Sequence, residues 1–252
     1  MERHIDGIFV DDGGHGGLPV VLVHASAGNT QQWSAQLPHL RAERRAIALD
    51  LRGHGRSALP RDGDYSIEAL ASDIARVVNR LELSRFVLAG HSLGAAVAVA
   101  YAGAHPERVA GLFLLDPATD GRFIPPAARQ GIMQAMRSEA YLKTVEEYWA
   151  PMLRPSCSTV RERVLSDLRR TPECAVVESL ESLLHFDPVT PLSRYRGPRL
   201  SVISETNETP AAYHRQLADI PYKKIRATGH WVQLDAPAEV NYTLGTFLTQ
   251  VA

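Results

Sequence analysis

The sequence has few cysteines, no long apolar run and no excess of charge of either sign. Its two cysteines in 252 residues, Cys157 and Cys174, are too few for a disulfide framework or a thiolate metal site, so we expect both to be reduced. The formal net charge is −1, with acidic and basic residues interspersed, which argues against a nucleic-acid partner. No apolar run has the length of a membrane-spanning helix or forms a secretory signal after Met1. We therefore expect a cytoplasmic protein that has no membrane partner.

Metal and phosphate motifs are missing as well. The ten histidines show neither His-x-His nor His-Glu-x-x-His spacing, so no metal site is expected. The glycine cluster at 13–17 leads into a strand pattern, whereas a phosphate-binding loop leaves a strand for a helix. We expect a hairpin turn there and no cofactor.

Apolar segments alternate between strand and helix patterns. Apolar runs predict a weak edge strand followed by buried strands, at 3–10, 18–23, 44–51, 86–89, 109–115, 199–204 and 223–227. Helical spacing covers 66–81 and about 238–251, and residues 118–197 contain helical segments interrupted by prolines, without strands. The pattern predicts an α/β fold with a mostly parallel sheet flanked by helices, whose core is 1–117 and 198–252, with a helical cap inserted at 118–197.

The stretch Gly90-His91-Ser92-Leu93-Gly94 lies between an apolar strand pattern and a helix of small residues. Strand, Gly-x-Ser-x-Gly and helix together are typical of a nucleophile elbow. The serine of such a turn takes a strained backbone geometry that exposes its hydroxyl at a helix N-terminus. There the free N–H of Leu93 can stabilise an oxyanion, so the sequence predicts Ser92 as the nucleophile of an acyl transfer.

A serine hydroxyl is a weak nucleophile near neutral pH and needs a base within hydrogen-bond reach, oriented by an acid. His230 fits the base, because Thr228-Gly229-His230-Trp231 forms a loop between the last predicted strand and the final helix. His24, His54 and His91 are interpreted as structural hydrogen-bonding residues.

With these motifs the chain resembles the α/β-hydrolase superfamily, in its serine esterase-like form with a helical cap. The resemblance covers nearly the whole chain and rests on Val23-His24, Trp33, the stretch from Asp50 to Ser57, the elbow, Leu115-Asp116-Pro117 and Gly229-His230-Trp231. It implies a sheet of about eight strands, with Ser92 as nucleophile and His230 as general base and acid. It also implies that the backbone N–H of Ser26 joins that of Leu93 in the oxyanion hole, although Ala25 stands where relatives usually have glycine.

The acid of the triad departs from the commonest pattern of the superfamily. Most relatives carry an aspartate a few residues beyond the penultimate strand, where this chain has Asn207, a residue without charge. The asparagine could be natural, engineered or impairing. Some branches place the acid after the strand that follows the nucleophile, where Asp116 stands, and we expect Asp116 to be the acid, with Glu205 and Glu208 in reserve.

The resulting expectation is a hydrolase that cleaves a carboxylic ester of a small or medium substrate through an acyl-enzyme on Ser92. A lactonase or carbon–carbon bond hydrolase, a cofactor-free oxygenase of the same fold and a hydrolase-derived ligand sensor stay open. The partner is a small-molecule ester, and the chain is a monomer or a homodimer. Aromatic and sulfur side chains of the cap could line an apolar pocket above Ser92, although helical spacing favours plain packing within the cap for most of them: Tyr141, Tyr148, Trp149, Met152 and Phe186.

Overall fold

The computed structural model describes residues 1–217 and 219–251. Within them, eight strands form one sheet in the order β1-β2-β4-β3-β5-β6-β7-β8. The strands are β1 Glu2–Ile5, β2 Ile8–Gly13, β3 Val20–Val23, β4 Ala46–Leu49, β5 Phe86–His91, β6 Val109–Leu115, β7 Arg199–Ile203 and β8 Tyr222–Lys224. From β4 through β8 every pair of neighbours is parallel, while β2 is antiparallel to both β1 and β4.

Helices cover both faces of the sheet. Their bounds are α1 Gln36–Arg41, α2 Ile67–Arg80, α3 Leu93–Ala104, α4 Pro126–Met136, α5 Tyr141–Leu153, α6 Ser158–Arg170, α7 Glu173–His185, α8 Val189–Arg194, α9 Tyr213–Gln216, α10 Val232–Asp235 and α11 Pro237–Val251. The helix predicted at 66–81 is α2, and Ser66 caps it, because its Oγ accepts from the N–H of Ala69. The α/β fold and the mostly parallel sheet are confirmed. No helix in the described part of the chain is long and apolar enough to cross a membrane.

The hairpin predicted at the glycine cluster is wrong. The loop there joins β2 to β3, and these strands are separated in the sheet by β4. The hairpin lies one connection earlier, between β1 and β2, where Asp6 and Gly7 both have positive φ, 49° and 85°. Asp-Gly is the dipeptide that suits such a two-residue turn, so a stronger hairpin signal stood at residues 6 and 7.

Residues 118–197, which we call the helical segment, connect β6 to β7 and contain α4 to α8. No strand interrupts them in the described structure. Side chains of α4 to α7 form an apolar cluster of their own, which includes Trp149, Val145 and Met136 and is joined by Ala27 and Trp231 from loops of the sheet. The segment leaves the carboxyl end of β6, and parallel α/β sheets bind ligands outside the carboxyl ends of their strands. The division of the chain into a core and a cap at residues 117 and 198 stays a prediction.

Candidate active site

Ser92 occupies a strained turn between β5 and α3. Its backbone has φ 54° and ψ −115°, which is unusual for a residue with a side chain. The flanking glycines make this turn possible. A Cβ on Gly90 would lie 2.2 Å from the carbonyl oxygen of Gly94, and one on Gly94 would lie 2.4 Å from that of His24. Strand and helix can therefore meet closely only because both positions lack a side chain.

Asp116 and His230 form a direct pair. Asp116 directly follows β6, next to the strand that precedes Ser92, and its side chain is fully buried. His230 Nδ1 lies 2.6 Å from Asp116 Oδ2. A carboxylate accepts only, so the Nδ1–H donates to it and leaves Nε2 as the free basic nitrogen of the neutral ring.

The carboxylate of Asp116 has three further donors, and one of them is Asn207. The N–H and Oγ of Ser204 lie 2.7 and 2.9 Å from its two oxygens, and Asn207 Nδ2 lies 3.1 Å from Oδ1. Asn207 Nδ2 also donates to the carbonyl of Pro117 at 2.7 Å. The residue at the usual position of the acid thus orients the carboxylate of the neighbouring strand, a relation that the sequence did not indicate.

The reserve candidates for the acid lie elsewhere. Glu205 is exposed, and Glu208 is bound to Arg215 at 2.9 Å and to Lys224. The hydrogen bond from Lys224 holds the pKa of Glu208 below its ordinary value. Neither glutamate lines the pocket that contains His230.

Ser92 and His230 line one pocket with Ser26 and Asn207. Among the hydrogen bonds of residues 1–217 and 219–251, none joins Ser92 Oγ to His230. Such bonds are often long without substrate and shorten in the Michaelis complex. The structure therefore brings the predicted nucleophile and the predicted base to the same cavity, and the predicted acid to the predicted base.

The two amides expected to form the oxyanion hole have no other acceptor in the part of the chain that the structure describes. Leu93 is the first residue of α3, where a helix leaves its N–H free. Ser26 lies in a turn after β3 that is closed by the bond from Gly28 N–H to the Ala25 carbonyl, 3.0 Å. Alanine at position 25 causes no left-handed strain, because Ala27 and not Ala25 has a positive φ in this loop.

His91 contacts the backbone of the loop that carries His230. Its Nε2 lies 2.8 Å from the His230 carbonyl oxygen, and the amide Nε2 of Gln233 lies 3.0 Å from its Nδ1. Burial lowers the pKa of His91 well below its ordinary value, and the proximity of His230 adds to this. A neutral His91 that donates through Nε2 fits both contacts, and Gln233 was not recognised from the sequence.

The helical segment also forms hydrogen bonds with the loop that carries His230. The His230 N–H donates to the carbonyl of Met152, 3.0 Å away in the last turn of α5, which has no partner within its own helix. Asp235 Oδ2 accepts from the N–H of Gly229 and from Ser156 Oγ, both at 2.8 Å. Burial raises the pKa of Asp235, against the effect of these two hydrogen bonds. The sequence pattern gave no sign of these contacts.

The cavity above Ser92 has a volume of about 250 Å³. Three of the five side chains that were expected to line it do so, namely Tyr148, Trp149 and Met152. The alternative of plain packing applies to the other two. Tyr141 packs within the apolar cluster of the helical segment, and Phe186 packs against the main core.

A family model for the alpha/beta hydrolase fold matches residues 19–237. The chain belongs to the α/β-hydrolase family. The resemblance seen in the motifs is thereby confirmed, together with the fold. No group of three or more His, Cys, Asp or Glu side chains is placed to hold a metal ion in the described residues of this hydrolase.

Relatives within the family have different activities. The hydrolase is 32% identical over 249 residues to the dihydrolipoyllysine-residue acetyltransferase component of the acetoin cleaving system of Pseudomonas putida, which covers 94% of this chain. The chain spans only 65% of the length of that relative. It is 26% identical to a putative 2-succinyl-6-hydroxy-2,4-cyclohexadiene-1-carboxylate synthase of Bacillus subtilis, over 96% of this chain and 94% of that protein.

A solved relative is a thermophilic esterase from Thermogutta terrifontis. It is 27% identical and superposes with a TM-score of 0.75, over 97% of this chain and 93% of the esterase. The family is therefore established, while the reaction of this member has to be argued from its site.

Proposed function

We propose that this α/β-hydrolase cleaves a carboxylic ester through an acyl-enzyme on Ser92. The observation that carries the proposal is one cavity lined by both the elbow serine and a histidine, whose Nδ1 lies 2.6 Å from a buried aspartate. The similarity to a solved esterase at 27% identity supports the choice of an ester. An ester is also the simplest acyl substrate for this site, because its alcohol leaves more easily than an amine.

In the proposed mechanism His230 Nε2 takes the proton of Ser92 Oγ as the oxygen attacks the ester carbonyl. Asp116 keeps the imidazole in the required tautomer and stabilises the imidazolium that forms. The amides of Ser26 and Leu93 bind the oxyanion of the tetrahedral intermediate. His230 then gives the proton to the leaving alcohol, and a water molecule, activated by the same histidine, releases the acyl group.

The binding wall suits an apolar acyl or aromatic group. Trp149, Met152 and Val145 of α5 line the cavity, and the apolar walls of such pockets contribute most of the binding energy. A lactone carries the same acyl carbon with its alcohol tethered, so lactones belong among the substrates to be tested.

The proposal is tested by stopped-flow hydrolysis of p-nitrophenyl acetate, butyrate and octanoate with the protein and with Ser92→Ala. Intact mass is measured after a rapid quench. We expect a burst of p-nitrophenol and an added acyl mass in the protein, and neither in the variant. Absence of turnover and of the adduct would contradict the proposal.

Two other activities have distinct signals in parallel assays. Uptake of oxygen with an aromatic substrate would identify a cofactor-free oxygenase, and ligand-dependent binding of a partner protein would identify a sensor. Either signal without an acyl adduct on Ser92 would replace the esterase proposal.

A further inference from the structure

The pocket has a polar end and an uncharged apolar end. The polar side chains come from loops that follow strands β3, β5, β6, β7 and β8, and they are Ser26, Ser92, Thr119, Thr206, Asn207, Thr209 and His230. The helical segment contributes a wall of apolar side chains that includes Met136, Val145, Tyr148, Trp149, Met152 and Leu180. No Asp, Glu, Lys or Arg of the described chain is among the lining residues.

Arg122 and Arg129 lie close in sequence to residues of this wall, and both are engaged outside it. Arg122 lies 2.8 Å from Asp120 and 2.8 Å from Asp187. Arg129 donates through Nη1 to the carbonyl of Leu184 at 3.1 Å. Neither guanidinium lines the cavity, so neither is placed to neutralise an anion inside it.

From this arrangement we infer that the site selects esters with an uncharged acyl group and rejects those that carry a carboxylate on the acyl chain. The inference rests on the proposed function and narrows its substrate class. A carboxylate that enters the apolar wall loses its hydration and gains no cation or row of donors in exchange. A methyl ester at the same position has no such charge to desolvate.

The volume of the cavity limits the size of the acyl group that it can bind. Its volume of about 250 Å³ lies below the range of about 300–1,000 Å³ that is typical of sites for drug-sized ligands. Short to medium acyl chains or a single aromatic ring therefore fit, whereas a long fatty acyl chain would have to leave through the mouth. Tyr148 lines the cavity and is 43% exposed, so the wall reaches solvent at this residue.

The experiment compares three matched substrates: p-nitrophenyl hexanoate, the p-nitrophenyl monoester of adipic acid and the methyl-capped form of that monoester. The uncatalysed rate of each is subtracted. We expect kcat/KM of the capped ester to exceed that of the free carboxylate by about 100-fold or more, since an unpaired buried charge is strongly disfavoured. Equal values, or a faster reaction of the carboxylate, would overturn the inference.

A second test adds a positive charge to the apolar wall. Leu180 is partly buried and lines the cavity from α7, so Leu180→Lys can place an ammonium there, and Leu180→Gln is the uncharged control of similar length. We expect the lysine variant to reduce the preference for the capped ester by about tenfold or more, since paired charges gain at least that much in a partly buried site. The glutamine variant should keep the preference. An unchanged preference in a folded lysine variant would contradict the inference.

A binding measurement separates this inference from the proposed function. Calorimetry on Ser92→Ala compares hexanamide and the methyl ester of adipic acid monoamide with the free monoamide, none of which requires chemistry. Tighter binding of the neutral ligands supports the inference even if no acyl-enzyme forms on Ser92. Tighter binding of the free acid overturns it even if the esterase proposal holds.

Discussion

The two ends of the pocket are built in different ways. At the sheet edge, Ser92 and Asp116 both have positive φ, 54° and 38°, and the Asp116 carboxylate accepts four hydrogen bonds. In the helical segment the wall consists of apolar side chains whose directions depend on helix packing, and one of them, Tyr148, is 43% exposed. The sheet edge holds a few atoms in fixed positions, which a chemical reaction requires. The helical wall provides an apolar surface whose shape can select the substrate.

His230 lies at the polar end and is bound to both the sheet edge and the helical segment. Its ring pairs with Asp116 of the sheet edge, while its N–H donates to the Met152 carbonyl of the helical segment. The comparison therefore predicts three classes of effect. Changes at the sheet edge reduce kcat strongly, changes in contacts to the His230 loop reduce it moderately, and changes in the wall alter the choice of substrate.

The largest effect is expected for His230→Gln. Without the base, Ser92 cannot lose its proton, and kcat should fall by about 10,000-fold to 1,000,000-fold. The control is His185→Gln, which changes an exposed histidine of α7 and should leave kcat unchanged. Steady-state hydrolysis of p-nitrophenyl butyrate measures both, and more than about 1% residual kcat in His230→Gln would contradict the role of the base.

The oxyanion hole is tested at Ser26. Ser26→Pro removes the backbone N–H, and kcat should fall by about 100-fold to 1,000-fold. Ser26→Ala keeps the N–H and should retain activity within about threefold, because only the hydroxyl is lost. Circular dichroism shows whether both variants are folded. If alanine and proline reduce kcat equally, the side chain and not the amide is what matters.

A moderate loss of kcat is expected when the hydrogen bonds between the helical segment and the His230 loop are removed. Asp235→Ala leaves the Gly229 N–H and Ser156 Oγ without their shared acceptor, and kcat should fall about tenfold through misplacement of the base. Asp235→Asn keeps an acceptor oxygen and should recover most of the activity, while KM changes little in both. Wild-type kcat in Asp235→Ala would show that the contact through Asp235 and Ser156 does not position His230.

The smallest effect on activity is expected from the buried histidines at the sheet edge, whose protonation affects stability. Burial lowers the pKa of His24 from 6.5 to about 4, and its Nε2 accepts from the N–H of Leu51, so a proton there would break a hydrogen bond. The unfolded chain binds that proton near pH 6.5 and the folded chain only near pH 4. Stability should therefore decrease as pH falls from about 6.5 to about 4, by on the order of 3 kcal/mol from this residue.

Denaturant unfolding at several pH values checks this prediction. In His24→Gln the decrease between pH 6.5 and 4 should be smaller, because one titrating group has been removed. The same decrease in both proteins would assign the pH dependence to other groups, such as His54 and His91.

Much of the sheet edge could be predicted because its signals are local in sequence. The elbow, the strand end at Asp116 and the loop at His230 each consist of a few adjacent residues whose backbone requirements are visible in their types. Family membership and the α/β fold followed from these motifs and from the alternation of strand and helix patterns.

Contacts between distant elements could not be predicted. Asn207 meets Asp116 only because β6 and β7 are neighbours in the sheet, and the bond between Met152 and His230 spans most of the helical segment and the last two strands. In the helical segment, apolar spacing indicated buried faces but did not distinguish Trp149, which lines the cavity, from Tyr141, which does not.

The central claim is that Asp116, oriented by Asn207, acts as the acid for His230. The most direct measurement is kcat/KM against pH for the wild type, Asp116→Asn and Asn207→Asp. The account predicts that Asp116→Asn lowers kcat/KM by about 10,000-fold near neutral pH. It predicts that Asn207→Asp lowers it as well, since a second carboxylate would stand against Asp116 in place of a donor. Near wild-type activity in Asp116→Asn would contradict the account, because it would show that Asp116 is not the acid. A gain in Asn207→Asp would contradict it as well, because it would favour a carboxylate at position 207.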